Sequence, residues 1–455
     1  MVNRQGIKTT IKATGKKILA LVGVLMILQT IYTLLMTVVY MLPNRPIRKN
    51  IQASIPRFSL EGNYYKPFIN SHSIQLDGFM DSKMLQTALA SVGDNPLKTA
   101  MNGTMKYGSG THWEQMRQAT EQNISGTGSY ARYWHGYMLY LRPLLLFFDY
   151  EGIRVVSSFV FFLLYTAAVC LLAKKIGWIY AMGLAGSMIF VKIYILPMSL
   201  QFAGVFNLMF IAILAVLLLA GKQPLAGVKM ACLFLTIGSL TSFIDLLTAP
   251  LITLGIPLLV LLIFYNQQEE ASLATSFRMS LRISGLWLAG YGLTWVSKWI
   301  IGSIVLKRNV IQEAVAAIFF RTQGNDVYPL DRYRTLQLNL HCLLPSKELA
   351  VALLVLLSGL AIFVLLRRRG GPMRKHLVFL WIALYPYIWY SFLANHSQIH
   401  HWFTYRAQLV SLMGGFAFVA GVVQSNLETR RRHHERDHLE NVDSSAEMPL
   451  PAPPQ

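Results

Sequence analysis

Apolar runs of about 20 residues recur along most of this chain, each long enough to cross a bilayer as a helix. In lipid, backbone N–H and C=O groups find no water, so such runs must satisfy their hydrogen bonds internally, as helices do. Composition agrees. Of the 455 residues, 54% are hydrophobic and 14% charged, against about 25% charged in soluble domains, and the mean hydropathy is +0.43. The expected fold is an all-α integral membrane protein.

Spans are placed near 18–42, 152–173, 178–197, 201–220, 230–248, 250–265, 282–305, 348–366, 376–394 and 407–424. About ten transmembrane helices put both termini on one side. Basic clusters flank the apolar runs, among them Lys8, Lys12, Lys16 and Lys17, Lys174 and Lys175, Arg367 to Arg369, and Arg430 to Arg432. That is the positive-inside pattern, and it places both termini in the cytoplasm. The net charge of +20 belongs to this anchoring, and no recognition motif joins it to suggest nucleic acid as a partner. Cys170, Cys232 and Cys342 are far apart and form no disulfide framework or CxxC pair.

Five regions follow: a cytoplasmic N-terminus (1–17), a first span kept as a signal anchor (18–42), an outer loop lobe (43–136), a multi-span domain (137–424) with a second outer loop near 306–347, and a disordered cytoplasmic tail (425–455). Within the lobe, Asp81 reads as the N-cap of a helix that ends near Gly93, and Asp77-Gly78 reads as a turn pair. "THWEQ" carries a capping box from Thr111 to Glu114. The stretch "YARYWHGYMLYLRPLLLFF" (130–148) reads as an interfacial helix on which Arg132, His135 and Arg142 share a sector of about 80°.

The candidate chemistry begins with Asp245, the one formal charge between Met230 and Tyr265. A carboxylate in an apolar run either orders a short helix pair through Thr241, Ser242 or Thr248, or lines a pocket for a polar substrate. Asp77 and Asp81, four residues apart at the opening of a loop helix, either keep their turn and cap roles or supply a general base. Arg132, His135 and Arg142 are either snorkelling residues or a phosphate cradle, since guanidinium forks match phosphate oxygens. In "ANHSQIHHWFTYR" (394–406), His396 and His400 lie at i, i+4, yet no nearby Cys, Asp or Glu completes a metal set. Arg406 beside Trp402 and Tyr405 suits a sugar-phosphate pocket. Walker A, GxSxG, HExxH and Rossmann patterns are absent from the sequence.

One span, a large outer lobe with acidic residues and an interfacial helix, then many spans: this layout resembles the GT-C class of membrane glycosyltransferases. The resemblance implies transfer of a sugar from a polyprenyl-phosphate carrier, with inversion, to an envelope glycan or lipid acceptor outside the cytoplasm. It implies Asp77 or Asp81 as base, Arg132, Arg142 and Arg406 as a phosphate clamp, and Asp245 at the acceptor pocket. The alternatives are a transporter or flippase using Asp245, Lys192 and Lys298 as intramembrane charges, a polysaccharide polymerase or ligase, and a non-catalytic assembly protein.

Overall fold

A computed structural model describes residues 4–89, 95–220, 227–267, 271–346 and 373–446. Helix α1 (Arg4–Tyr40) is followed by the lobe helices α2 (Asn44–Glu61), α3 (Gly78–Ala88), α4 (Pro96–Asn102) and α5 (His112–Thr120). A two-stranded antiparallel ladder, β1 (Met105–Tyr107) with β2 (Gly126–Gly128), is the one sheet among the described residues. After α6 (Met138–Leu144) come α7 (Tyr150–Lys175), α8 (Trp178–Phe190), α9 (Leu200–Ala220), α10 (Val228–Ile244), α11 (Ile252–Asn266) and α12 (Leu273–Leu306). Then follow α13 (Val310–Gln323), α14 (Arg332–Leu343), α15 (Leu377–Ala383), α16 (Tyr385–Phe392), α17 (Ala394–Ile399), α18 (His401–Thr404) and α19 (Leu409–Ala446).

Among the described residues four stretches are long and apolar enough to cross a membrane: Gly15–Tyr40, Tyr150–Lys175, Leu200–Ala220 and His401–Ser425. Helices α8, α10 and α11 are apolar but shorter. Not all of the ten expected spans take the form of single helices. The run at 178–197 is helical only to Phe190; Lys192 then adopts a left-handed φ of 61° and a 3₁₀ turn follows. The run at 376–394 divides between α15 and α16, where Pro386 enters the first turn of α16 and removes an N–H from the helical ladder. The span expected at 348–366 lies outside the described residues. The tail differs in the other direction: α19 continues through Ala446, because a helix already nucleated in an apolar segment extends at little cost.

Helices α10 and α12 cross with backbone against backbone. A Cβ added to Gly238 would overlap the Trp287 carbonyl oxygen, and one added to Gly290 would overlap the Leu235 carbonyl oxygen. Small residues let the two backbones meet, as in membrane helix pairs generally. Hydroxyls close the seam: Ser239 and Thr294 share a hydrogen bond of 2.7 Å, and the Tyr32 hydroxyl of α1 reaches Ser239 at 3.1 Å.

The lobe is bound to this bundle by buried polar groups. Arg142, fully buried, donates from Nε to the Val39 carbonyl at 2.9 Å, from one terminal nitrogen to the Ala88 carbonyl, and from the other to the Leu42 carbonyl and Asn44 Oδ1, both at 3.0 Å. Asp81 is not the N-cap of its helix. Asp77 takes that place, accepting the Met80 N–H at 3.0 Å. Asp81, one turn on, instead caps α9, accepting from the Leu200 and Gln201 N–H groups at 3.1 Å each and from Ser199 Oγ at 3.0 Å. Tyr150 donates to it at 2.6 Å, Arg154 donates to Tyr150 at 2.8 Å, and Arg154 holds Glu61 bidentately at 2.7 and 2.8 Å. Helices α2, α3, α7 and α9 are thereby joined through one chain of hydrogen bonds. The helix expected to run to Gly93 stops at Ala88, where Leu89 turns to extended backbone, whereas the Thr111–Glu114 capping box is formed.

Because backbone faces backbone at the α10–α12 crossing, no side chain there can move aside for added bulk. Gly290→Leu is expected to destabilise the purified protein by about 3 kcal/mol, the upper range for overpacking, read as a fall in Tm in detergent. A variant as stable as the wild type would mean that the crossing is looser than described.

Candidate active site at the lobe end of the bundle

Asp77 sits where the lobe meets the ends of the helices. Its side chain is 4% exposed, and Oδ1 is committed to the Met80 N–H. Among the described residues Oδ2 accepts no hydrogen bond. The buried Trp402 indole N–H faces the same carboxyl without closing a full bond. Burial pushes the Asp77 carboxyl up to about 7, with the nearby Asp81 charge adding to the rise, while the Met80 and Trp402 N–H groups oppose it. A carboxyl poised near neutrality beside an unspent donor can take a proton from a hydroxyl placed between them.

A layer of rings leads away from Asp77. Trp402 packs edge-on against Tyr64 at 5.3 Å between centroids and against His400 at 5.2 Å, and His400 meets His396 at 4.8 Å. Burial lowers both histidines, His400 to about 3, so they are neutral at pH 7. A neutral His396 donates from Nε2 to the Leu247 carbonyl at 2.9 Å, which fixes its tautomer. Leu247, at a left-handed φ of 66°, opens onto a cavity of about 440 Å³ between α12, α13 and α16. Tyr291, Trp295, Trp299 and Trp389 give this groove an aromatic lining, and Arg132 and Arg321 are its charged members.

The two arginines differ in what holds them. Arg132 stacks on Tyr130 with its guanidinium carbon 4.3 Å from the ring centroid and pairs with Glu313 at 3.0 Å. Glu313 also lies 3.5 Å from Arg308. Arg321 has no carboxylate partner among the described residues; it donates to the Tyr133 hydroxyl at 2.8 Å and, more weakly, to the Ala317 carbonyl at 3.3 Å. Its Nε is buried without a partner. The groove therefore carries an unneutralised cation on apolar walls, the pairing that an amphiphile with an anionic head requires.

The remaining expected site residues scatter. Arg132, His135 and Arg142 do not share a helical face. The chain turns at His135, whose φ is 56°, because the Gly136 N–H is taken by the Phe243 carbonyl at 2.8 Å, and regular helix starts only at Met138. His135 lies inside the lobe between the Tyr130 carbonyl at 3.0 Å and the Tyr137 hydroxyl at 2.9 Å, its ring lowered to about 3 by burial. Arg142 is spent on carbonyls and holds no free fork for a phosphate. Asp245 caps the turn after α10 by accepting the Thr248 N–H at 3.0 and 3.1 Å. It is 5% exposed and does not line the groove, so the local role, through Thr248, is the one the geometry favours. Lys298 donates to the Met101 carbonyl at 2.7 Å. Arg406 lies fully buried beyond Trp402, donating to its carbonyl at 3.0 Å and to that of Ser73 at 3.4 Å. Among the described residues no three His, Cys, Asp or Glu side chains gather as a metal site.

Asp77 and Asp81 should separate cleanly in stability measurements. Between pH 4 and 7 the folded state keeps the Asp77 proton that the unfolded chain has released, so raising pH through this window costs stability. Asp77→Asn is expected to have a higher Tm than wild type at pH 8 and an equal one near pH 4; a constant difference across that range would contradict a raised carboxyl. Asp81→Ala leaves the α9 end and Tyr150 unpaired and is expected to lose roughly 3–5 kcal/mol by thermal or denaturant unfolding. Comparison with protein-family models, with curated proteins and with solved structures gives no match, so what the site does must be argued from its own geometry.

Proposed function

We propose that this chain is a multi-pass membrane glycosyltransferase with both termini in the cytoplasm, moving a sugar from a polyprenyl-phosphate carrier to an envelope glycan or lipid acceptor. The observation that carries the proposal is Asp77: a buried carboxyl near neutrality, with one oxygen free and the Trp402 N–H beside it, at the end of a ring layer that leads to an apolar groove. In this reading the carrier's isoprenoid tail lies against Trp295, Trp299 and Trp389, and its phosphate meets Arg321 with Arg132. The sugar lies along the His400–Trp402 ring layer.

The chemistry asks for positioning more than for exotic groups. Asp77 takes the proton of the acceptor hydroxyl as its oxygen attacks the anomeric carbon. The bond from that carbon to the phosphate oxygen breaks, its electron pair leaves with the polyprenyl phosphate, and Arg321 holds the charge that develops. Attack opposite the leaving group inverts the anomeric centre. Asp81 serves as an anchor in this scheme, and Arg142 and Asp245 keep structural roles.

Membranes containing matched amounts of each variant, supplied with labelled polyprenyl-phosphate sugars, test this directly. Asp77→Asn is expected to lower kcat by roughly 10²–10⁴-fold and to abolish an acidic limb in the rate profile near pH 7. Arg321→Gln is expected to raise KM for the carrier. Full transfer by Asp77→Asn, or none from any carrier with wild type, would overturn the assignment.

A further inference from the structure

A second cavity, of about 390 Å³, shares no lining residue with the groove and borders the Trp402 layer through His72, whose ring meets His401 at 5.3 Å. It is lined by Lys66, Asn70, Ser71, His72, His341 and Cys342, with Pro345 at its edge. Among the described residues no carboxylate lines it. Lys66 spends one of its three donors on Asn70 Oδ1 at 2.9 Å, and the His72 Nδ1 is engaged with Gln75 Oε1 at 2.9 Å, which leaves Nε2 unspent. Behind Cys342 two further cations, Lys192 and Arg406, lie within electrostatic reach of its thiol and of each other. Arg406 is the telling member. It is fully buried and stacked on Phe202 with its guanidinium carbon 4.3 Å from the ring centroid, its Nε has no partner, and no carboxylate pairs with it among the described residues. A buried guanidinium without a counter-charge is costly. A polar cavity walled by bases and backed by such a group meets that cost when it holds an anion.

We infer that this cavity is a phosphate-binding pocket, distinct from the groove, contacting its ligand through Lys66, Ser71, His72 and His341 while Lys192 and Arg406 supply charge from behind. Asp77 faces Trp402, whose neighbour His401 meets His72 of this pocket. On the transferase reading, and resting on it for this part alone, the pocket receives the phosphate of a charged acceptor, so that the acceptor approaches Asp77 from one side and the carrier from the other. The enzyme would then extend acceptors bearing a phosphate near the reacting hydroxyl in preference to neutral ones.

Phosphate binding can be measured without any transfer, which keeps the two readings separable. The purified full chain in detergent is titrated with inorganic phosphate against chloride at constant ionic strength, and Tm is followed. The expected result is a saturable rise whose midpoint moves at least tenfold upward in a Lys66→Ala, His341→Ala double variant and stays in place in Arg321→Gln. Lys66→Ala alone, at an exposed loop, serves if the double variant fails to fold, and is expected to shift the midpoint in the same direction. No saturable rise in wild type, or a rise abolished by Arg321→Gln and untouched by the pocket variants, would overturn the pocket. The titration is then repeated in nanodiscs of phosphatidylcholine with and without phosphatidylglycerol. An unchanged midpoint assigns the site to the phosphate of a soluble or glycan-borne ligand, whereas suppression by phosphatidylglycerol assigns it to a lipid headgroup and overturns the acceptor role.

Discussion

A buried carboxylate, Asp81, is the joint on which the arrangement depends. It neutralises the positive end of α9, takes the Tyr150 hydroxyl, and through Tyr150 and Arg154 reaches Glu61, so four helices share one network. Such networks add little net stability over apolar packing, but they accept only one geometry, since any slip leaves a charge unpaired away from water. The position of α3 on the bundle is therefore set to within a hydrogen-bond length. Asp77, one helical turn earlier, inherits that placement without contributing to it. One carboxylate is fully spent so that its neighbour can remain half spent.

Arg142 does the same service on the other flank, donating to carbonyls at the end of α1, the end of α3 and the link at Leu42, and to the Asn44 side chain that opens α2. Between these two latches the lobe cannot rock as an independent domain. Rigidity of this kind would suit the proposed site, whose members come from distant stretches of chain: Asp77 from the lobe, Trp402 and the histidines from the segment before the last long helix, Arg132 from the loop before α6, and Arg321 from α13. Electrostatic preorganisation requires that such parts not shift as charge develops.

Much of the architecture was legible because hydropathy and helix length are local properties. The apolar runs at 152–173 and 201–220 became α7 and α9 nearly residue for residue, and the Thr111–Glu114 cap formed as its spacing demands. The site was legible only in outline. Asp77 and Asp81 stand four residues apart with similar neighbours in sequence, and what separates their roles is Tyr150 and the α9 terminus, both remote. Arg142 belongs to a stretch that reads as continuous helix; the break at His135 is imposed by a hydrogen bond from Gly136 to Phe243, more than 100 residues away. Arg321 carried no local signal beyond being a lone arginine near the end of an apolar stretch, and its importance arises from Glu313 having been taken by other arginines.

Helices α10 and α11, of 17 and 15 residues, rise only about 26 and 23 Å, against roughly 30 Å for the hydrocarbon of a bilayer. Longer helices surround them, and the turn at 245–251 that joins them is itself buried, so the pair ends inside protein. The His396 ring takes up the Leu247 carbonyl, so two helices shorter than a bilayer is thick can stop within the bundle without leaving that carbonyl bare.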